Sequence, residues 1–427
     1  MRIAFKTLGC RVNLFETDAL ASRFKKEGYE VVEAGEADVF VVNTCTVTNT
    51  SDQKCRQAIH QIRRKHPEAL VVVTGCMVNH RKEELIQSGI ADYVIDNERK
   101  AAIFEIVDEH FKKGHSDPEG YDRDLFSYQP AYDTFHTRSL IKIHDGCNNF
   151  CSYCIIPMVR GRSTSRPAKA IYENIRSVVD HGFKEIVLTG VNMGRYHDGD
   201  TDFESLVEHI INMEGDFRVR VSSIEPDRFS DRFLQLFQHG KLAPHMHICL
   251  QSGAEDTLKR MHRFYTAAQF REMCERIKAF RPDFNLTTDI IVGFPGETES
   301  AFQESCDFAR EIGFSHIHTF KYSKRTGTKA AAMPDQVPEA EKSRRSEIMR
   351  AISLENKLRY FEMMKGKTQR LLVERIDSKG VARGYGENYL PIQLQGGNGV
   401  KNSFIELTIN EIINKENENS MAFVGEL

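Results

Sequence analysis

Along the first 113 residues, short apolar runs alternate with stretches whose apolar positions recur at helical spacing. Residues 2–7, 38–43 (DVFVVN) and 70–74 (LVVVT) read as strands, the last two Val-rich enough to be buried on both faces. Helices are predicted over 13–27, stopping at Gly28, over 51–65, ending before Pro67, and over 81–88 and 100–113. This alternation implies a parallel sheet covered on both faces. Residues 114–137 carry Pro118, Gly120 and Pro130 without a sustained period and read as an irregular linker. From 138 to 365 the alternation resumes, with strands at 139–144, 185–189, 217–222, 245–250, 285–294 and 316–322, helices between them, and a long charged helix over 337–361. Six such units predict a partial (β/α)6 barrel, whose chemistry belongs at the carboxyl ends of its strands. From 366 to 427 short strand-like runs between Gly- and Asn-containing turns predict a small β-barrel. The expected fold is α/β and multidomain: a parallel α/β domain over 1–113, the linker, the partial barrel over 138–365 and the β-barrel over 366–427.

Composition narrows the class. A chain of 427 residues, 40% hydrophobic and 28% charged, is ordinary for a soluble globular protein of two or three domains. A net charge of −3 gives no whole-molecule field for nucleic acid, so any basic footprint must be local. The opening MRIAFKTLGC lacks the apolar run of a signal peptide, and no stretch is apolar for long enough to span a bilayer. A cytoplasmic location with no membrane partner is expected, and ten cysteines there point to metal-binding or catalytic thiols.

Two cysteine patterns stand out. Cys147, Cys151 and Cys154 form C-x3-C-x2-C after the first barrel strand. A structural zinc would want a fourth ligand, which no nearby Cys or His supplies, and a disulfide would leave one thiol over. Soft thiolates suit iron–sulfur ligation, and three of them leave one iron of a cubane open to a small chelating molecule. Cys10, Cys45 and Cys76 each lie just past a predicted strand, at the sheet edge where ligands sit. A second three-cysteine cluster is the preferred reading over three unrelated buried thiols. Cys55, Cys249, Cys274 and Cys306 have no thiol neighbour at ligand spacing and read as structural. The pairs His245/His247 and His316/His318 each share a strand face, and read as polar barrel lining more readily than as a zinc site. Arg160, Arg162 and Arg166 after the cluster loop are candidates for phosphates or a carboxylate, with a solvated loop as the alternative.

The C-x3-C-x2-C spacing, with Tyr153 before its last cysteine, resembles the radical S-adenosylmethionine (SAM) superfamily. That resemblance implies a [4Fe–4S] cluster whose open iron binds the amino and carboxylate groups of SAM, and SAM cleavage to a 5′-deoxyadenosyl radical. The Gly-Cys, Asn-Thr-Cys and Gly-Cys contexts of Cys10, Cys45 and Cys76 resemble the N-terminal domain of the methylthiotransferases, implying an auxiliary [4Fe–4S] cluster. The strand-end motifs match that family too, implying SAM contacts at Tyr153, Thr189, Gly190, Asn192, Ser223, Glu225, Gln251 and Asp289. The C-terminal runs resemble a TRAM domain, implying RNA binding; Tyr385 and Tyr389 would stack on bases, and Arg370, Arg383 and Lys401 would meet phosphates, as would the basic face of residues 51–65. A protein-packing module is the alternative for this barrel.

Gly9-Cys10-Arg11-Val12-Asn13, residues 43–49 (NTCTVTN) and residues 188–192 (LTGVN) are most similar to the MtaB-type branch, which acts on threonylcarbamoyladenosine in tRNA. The branch acting on isopentenyladenosine more often reads G-C-Q-M-N at the first motif. The implied partners are SAM, the tRNA anticodon stem-loop and an electron donor such as flavodoxin or ferredoxin. The rival readings are a methylthiotransferase for isopentenyladenosine, one acting on a protein side chain, and an RNA-binding scaffold with structural zinc.

Overall fold

Unbroken Val-rich runs make sense as strands buried on both faces, and Val39–Thr44 and Leu70–Gly75 are buried along their whole length. The computed structural model describes residues 1–33, 35–132, 136–226, 230–396 and 400–426. Its N-terminal sheet has five parallel strands in the order Glu30–Val32, Arg2–Thr7, Val39–Thr44, Leu70–Gly75, Tyr93–Ile95. The periodicity does not predict the two edge strands, because three residues each are too few to show a period. The helix predicted over 81–88 begins at Cys76 itself and runs to Gln87, with a kink at Arg81. Among the described residues of 114–137 the regular structure is one short turn, Pro118–Gly120, but Ser116, Tyr128 and Ala131 are buried, so these residues are packed down. Residues 133–135 of the linker lie outside the described residues.

The central region is an α/β open barrel. Ser139–Asp145, Glu185–Gly190, Arg218–Val221, His245–Ile248, Asn285–Val292 and His316–Lys321 follow one another in space as in sequence. The third strand, expected over 217–222, runs over Arg218–Val221; past Ser222 the chain resumes as Ser223–Ile224, which pairs with the fourth. Ile141, Leu188, Val219, Met246 and Ile290 are almost wholly buried and join the covering helices in one apolar core. The closing helix, Glu339–Met364, packs on the last strand.

The C-terminal strands close into a barrel in the order Lys367–Ile376, Ala382–Tyr385, Pro391–Leu394, Ala422–Glu426, Phe404–Ile413. This barrel docks against the amino ends of the central strands. Arg218 donates to Arg370 O at 2.8 Å and Tyr385 O at 2.9 Å, and Asn285 Nδ2 donates to Asn388 O at 2.6 Å. Glu185, fully buried, accepts from both Arg218 and Arg220 beneath that contact. Among the described residues no helix is long and apolar enough to cross a membrane.

Candidate functional site

Three neighbouring strands of the N-terminal sheet deliver Cys10, Cys45 and Cys76 just beyond their carboxyl ends. Glycine makes this convergence possible. A Cβ on Gly9 (φ 111°) would lie 2.8 Å from Cys45 Cβ, and one on Gly75 (φ 100°) would lie 2.4 Å from Thr44 O. Asn13 Nδ2 ties two of the turns together, donating to Leu8 O at 2.8 Å and Thr44 O at 3.0 Å. Cys55 acts locally. Its thiol donates to Cys45 O and accepts from Cys45 N, both at 3.3 Å, and so holds the Cys45 turn. Cys274 and Cys306 are core residues.

The loop of Cys147, Cys151 and Cys154 leaves Ser139–Asp145 through Gly146. A Cβ there would fall 2.0 Å from Arg162 O, at φ 67°. Gly146→Ala is expected to destabilise the fold by about 2–4 kcal/mol, read as a lower denaturant midpoint of the anaerobic protein.

All six cysteines line one cavity of about 500 Å³. Tyr153, Thr189, Gly190, Ser223, Glu225, Gln251 and Asp289 line it as well. Asn192 lies beside Cys147, with Nδ2 donating to its sulfur at 3.5 Å and with Oδ1 buried and unpartnered. Glu225, expected to contact SAM, is paired with Arg263, whose Nη1 donates to Cys151 Sγ at 3.1 Å. Arg263 lies outside any motif, and its role was legible only from the fold.

The arginines after the loop also differ from expectation. Arg166 is buried and donates to Asn174 Oδ1 at 2.9 Å, and Arg162 lies over the Phe150 ring at 4.7 Å. Arg160, 2% exposed, joins a buried ion network at the junction of the first two domains. It donates to Asp145 Oδ2 at 2.8 Å, Glu16 Oε1 at 3.2 Å and Asn13 Oδ1 at 2.6 Å. Lys142 and Lys100 close the network, donating to Glu16 at 2.9 and 2.5 Å. Arg160 also faces Cys76 across the cavity wall.

Burial pushes the Cys154 thiol up to about 12 and the Cys45 thiol up to about 11. Burial also raises Cys76 and Cys151, against the pull of Arg160 and Arg263 respectively. Such thiols are neutral unless a metal takes them as thiolates, which coordination does outright. Two sets of three soft donors facing one cavity, each with a guanidinium nearby, fit two iron–sulfur clusters. The unpartnered Asn192 Oδ1 and the tight turns at Gly146 and Gly190 fit a polar small molecule between them.

Cys249, read as structural from its spacing, has polar company. Its sulfur is 4.0 Å from Asp289 Oδ2, and His247 Nε2 is 3.2 Å from Asp289 Oδ1. The donor atoms of these three residues lie within 4.8 Å of one another. The histidine pairs line the barrel interior: His316 Nε2 is 3.1 Å from His318 Nδ1, and His318 and His247 rings are 5.4 Å apart.

The RNA-contact candidates are partly spent on the protein itself. On the helix Asn49–Lys65, Arg56 pairs with Glu84 at 2.7 Å and Arg63 with Asp92 at 2.5 Å, while Lys54, Arg64 and Lys65 are exposed. Arg370 pairs with Asp216 at 2.5 Å and Arg383 with Asp377 at 2.6 Å, leaving Lys401 exposed. Tyr385 and Tyr389 stack on each other at 4.6 Å, with the Arg138 guanidinium 5.1 and 5.5 Å from their rings.

Comparison with known proteins adds three findings. Residues 2–96 match the model of the uncharacterised protein family UPF0004, and residues 141–309 that of the Radical SAM superfamily. Threonylcarbamoyladenosine tRNA methylthiotransferase MtaB of Bacillus subtilis is 36% identical over 422 residues, covering 95% of this chain and 93% of the relative. The tRNA-2-methylthio-N(6)-dimethylallyladenosine synthase of Pelotomaculum thermopropionicum is 35% identical over 409 residues, covering 89% and 88%. Overall identity alone therefore does not separate the two branches. The radical S-adenosylmethionine methyltransferase TsrM of Kitasatospora setae shares the fold, with a TM-score of 0.57 at 14% identity over 77% of each chain.

Proposed function

The chain belongs to the radical SAM methylthiotransferase family and is an enzyme, and we propose that it replaces the C2 hydrogen of N6-threonylcarbamoyladenosine at position 37 of tRNA with a methylthio group. The observation that carries this reading is the single cavity lined by both cysteine triplets. An aromatic C–H bond offers no acidity that a side-chain base can use, so the chemistry belongs to cofactors and the protein positions them.

In this reading Cys147, Cys151 and Cys154 hold the cluster that binds SAM, and Cys10, Cys45 and Cys76 hold an auxiliary [4Fe–4S] cluster. When bound, these groups supply one-electron cleavage of one SAM and a sulfur that a second SAM methylates. The chain's own part is placement. Asn192 and Arg263 direct N–H donors at Cys147 and Cys151. Ser223, Gln251 and Asp289 supply polar groups for SAM, and Gly190 lets it approach the backbone. Residues 1–113, 138–365 and 366–427 are read as the auxiliary-cluster, radical SAM and TRAM-like RNA-binding domains, with the anticodon stem-loop as partner. An unpaired loop base is reached without opening a duplex. The threonylcarbamoyl branch is favoured over isopentenyladenosine by Arg11, which follows Cys10 where the other branch more often has glutamine.

The two triplets are separable by mutation. Cys45→Ala is expected to leave SAM cleavage in place while removing methylthio transfer to tRNA, with iron content falling by about half. Loss of both activities together in folded C45A protein would contradict separate clusters.

A further inference from the structure

Arg11 is the cation that the site leaves without a partner. Among the described residues it makes no hydrogen bond or ion pair. It lines the six-cysteine cavity and also a second one, of about 260 Å³, between the open barrel and the C-terminal barrel; Arg11, His247 and His318 belong to both walls, so the two are continuous. Its neighbours contrast with it. Arg160 is held by Asp145 and Glu16, Arg263 by Glu225, Arg220 by Glu185 and Arg138 by Glu374. The carboxylate lining the second cavity, Glu418, is engaged by His316 and Ser353, and Asp289, which lines the six-cysteine cavity, by His247. Desolvation, and then His316 and His247, push His318 down to about 4.

A second unpartnered group lies in the same cavity. His245 is 2% exposed, with Nε2 3.3 Å from Thr287 Oγ1 and Nδ1 buried without a partner. The Tyr389 ring, stacked on Tyr385, lies 4.9 Å from the His245 ring and forms one wall. A guanidinium without a counter-ion, an imidazole nitrogen without a partner and an aromatic wall together suit a ligand arm that carries a carboxylate and an amide.

We propose that this inner cavity takes the threonylcarbamoyl arm of the substrate nucleoside, with Arg11 pairing its carboxylate and His245 Nδ1 meeting its polar groups. The inference rests on the threonylcarbamoyladenosine reading above and deepens it. That nucleoside carries a free carboxylate on the N6 side of the base edge that also bears C2; isopentenyladenosine carries only a hydrocarbon there. The residue next to Cys10 would then select the substrate of the cluster beside it. A hydrophobic pocket rejects a charged arm, and a half-buried cation without a counter-ion disfavours a neutral one, so the two branches would exclude each other's substrate.

The test is binding, with the anaerobic cluster-loaded protein. Anticodon stem-loops would carry threonylcarbamoyladenosine at position 37 either as the free acid or as its neutral carboxamide. The wild type is expected to bind the acid about tenfold more tightly. Arg11→Gln is expected to bring the acid-to-amide ratio to about one, and Arg11→Lys to keep part of the preference, with iron content and melting temperature checking that each variant is folded. An acid preference that survives in R11Q would overturn the role of Arg11 while leaving the substrate reading standing. No acid preference in the wild type would overturn carboxylate recognition. Methylthio incorporation into isopentenyladenosine and not threonylcarbamoyladenosine would overturn both.

Discussion

Cys147→Ala is expected to abolish SAM cleavage and to lower iron content by about half, since one of the two proposed four-iron clusters would be lost. The two remaining thiols of that loop cannot replace it. Cys154 is pushed up to about 12 by burial and takes a metal only as part of a set, and the nearest thiols of the other triplet are fixed by their own strand ends. The loss should exceed the roughly 10–100-fold that removing an outer partner of a metal site costs. Cys274→Ala is the matched control, because that thiol is buried in the apolar core, away from the cavity. Anaerobic detection of 5′-deoxyadenosine with iron analysis checks both expectations, and retained cleavage in C147A protein would remove this cysteine from the cluster.

The second large effect concerns stability. Glu16→Ala is expected to cost about 3–5 kcal/mol, because it strips a carboxylate from Lys100, Lys142 and Arg160, all at most 2% exposed, and leaves Asp145 as the network's remaining anion. Glu16 belongs to the N-terminal domain while Lys142, Asp145 and Arg160 flank the cysteine loop, so the same change loosens the junction that sets one triplet against the other. Burial raises the Glu16 carboxyl, but Arg160, Lys100 and Lys142 together outweigh burial and hold it well below the ordinary range. A depressed folded value means that this stabilisation is full above about pH 4.3, the unfolded value, and is lost as pH falls through the folded one. Denaturant unfolding as a function of pH checks this. The wild type should weaken on acidification, E16A should start lower, and its acid slope should be shallower by about one proton.

Much of this site was legible in the sequence because its chemistry is carried by rare residues in local patterns. Cys147, Cys151 and Cys154 share one loop, and Cys10, Cys45 and Cys76 each follow a strand recognisable from its apolar run. The residues around them were not legible, because their meaning depends on contacts far along the chain. Arg263 meets Cys151 across 112 positions, and Arg160 meets Glu16 across 144. Neither separation leaves a periodic or motif signal. Charge in sequence also misled: Arg160, Arg370 and Arg383 read as anion contacts but are paired within the protein, whereas Arg11 reads as a motif letter and has no ion-pair partner among the described residues. Short strands such as Glu30–Val32 escape for a different reason, since tertiary pairing rather than propensity makes them.

The most direct test of the central claim is the product itself. Reconstituted protein would be incubated anaerobically with dithionite, SAM and tRNA carrying threonylcarbamoyladenosine, and the digested nucleosides weighed by mass spectrometry. This nucleoside is expected to gain one methylthio group in place of hydrogen. Unchanged threonylcarbamoyladenosine, from protein with both clusters filled, would contradict it.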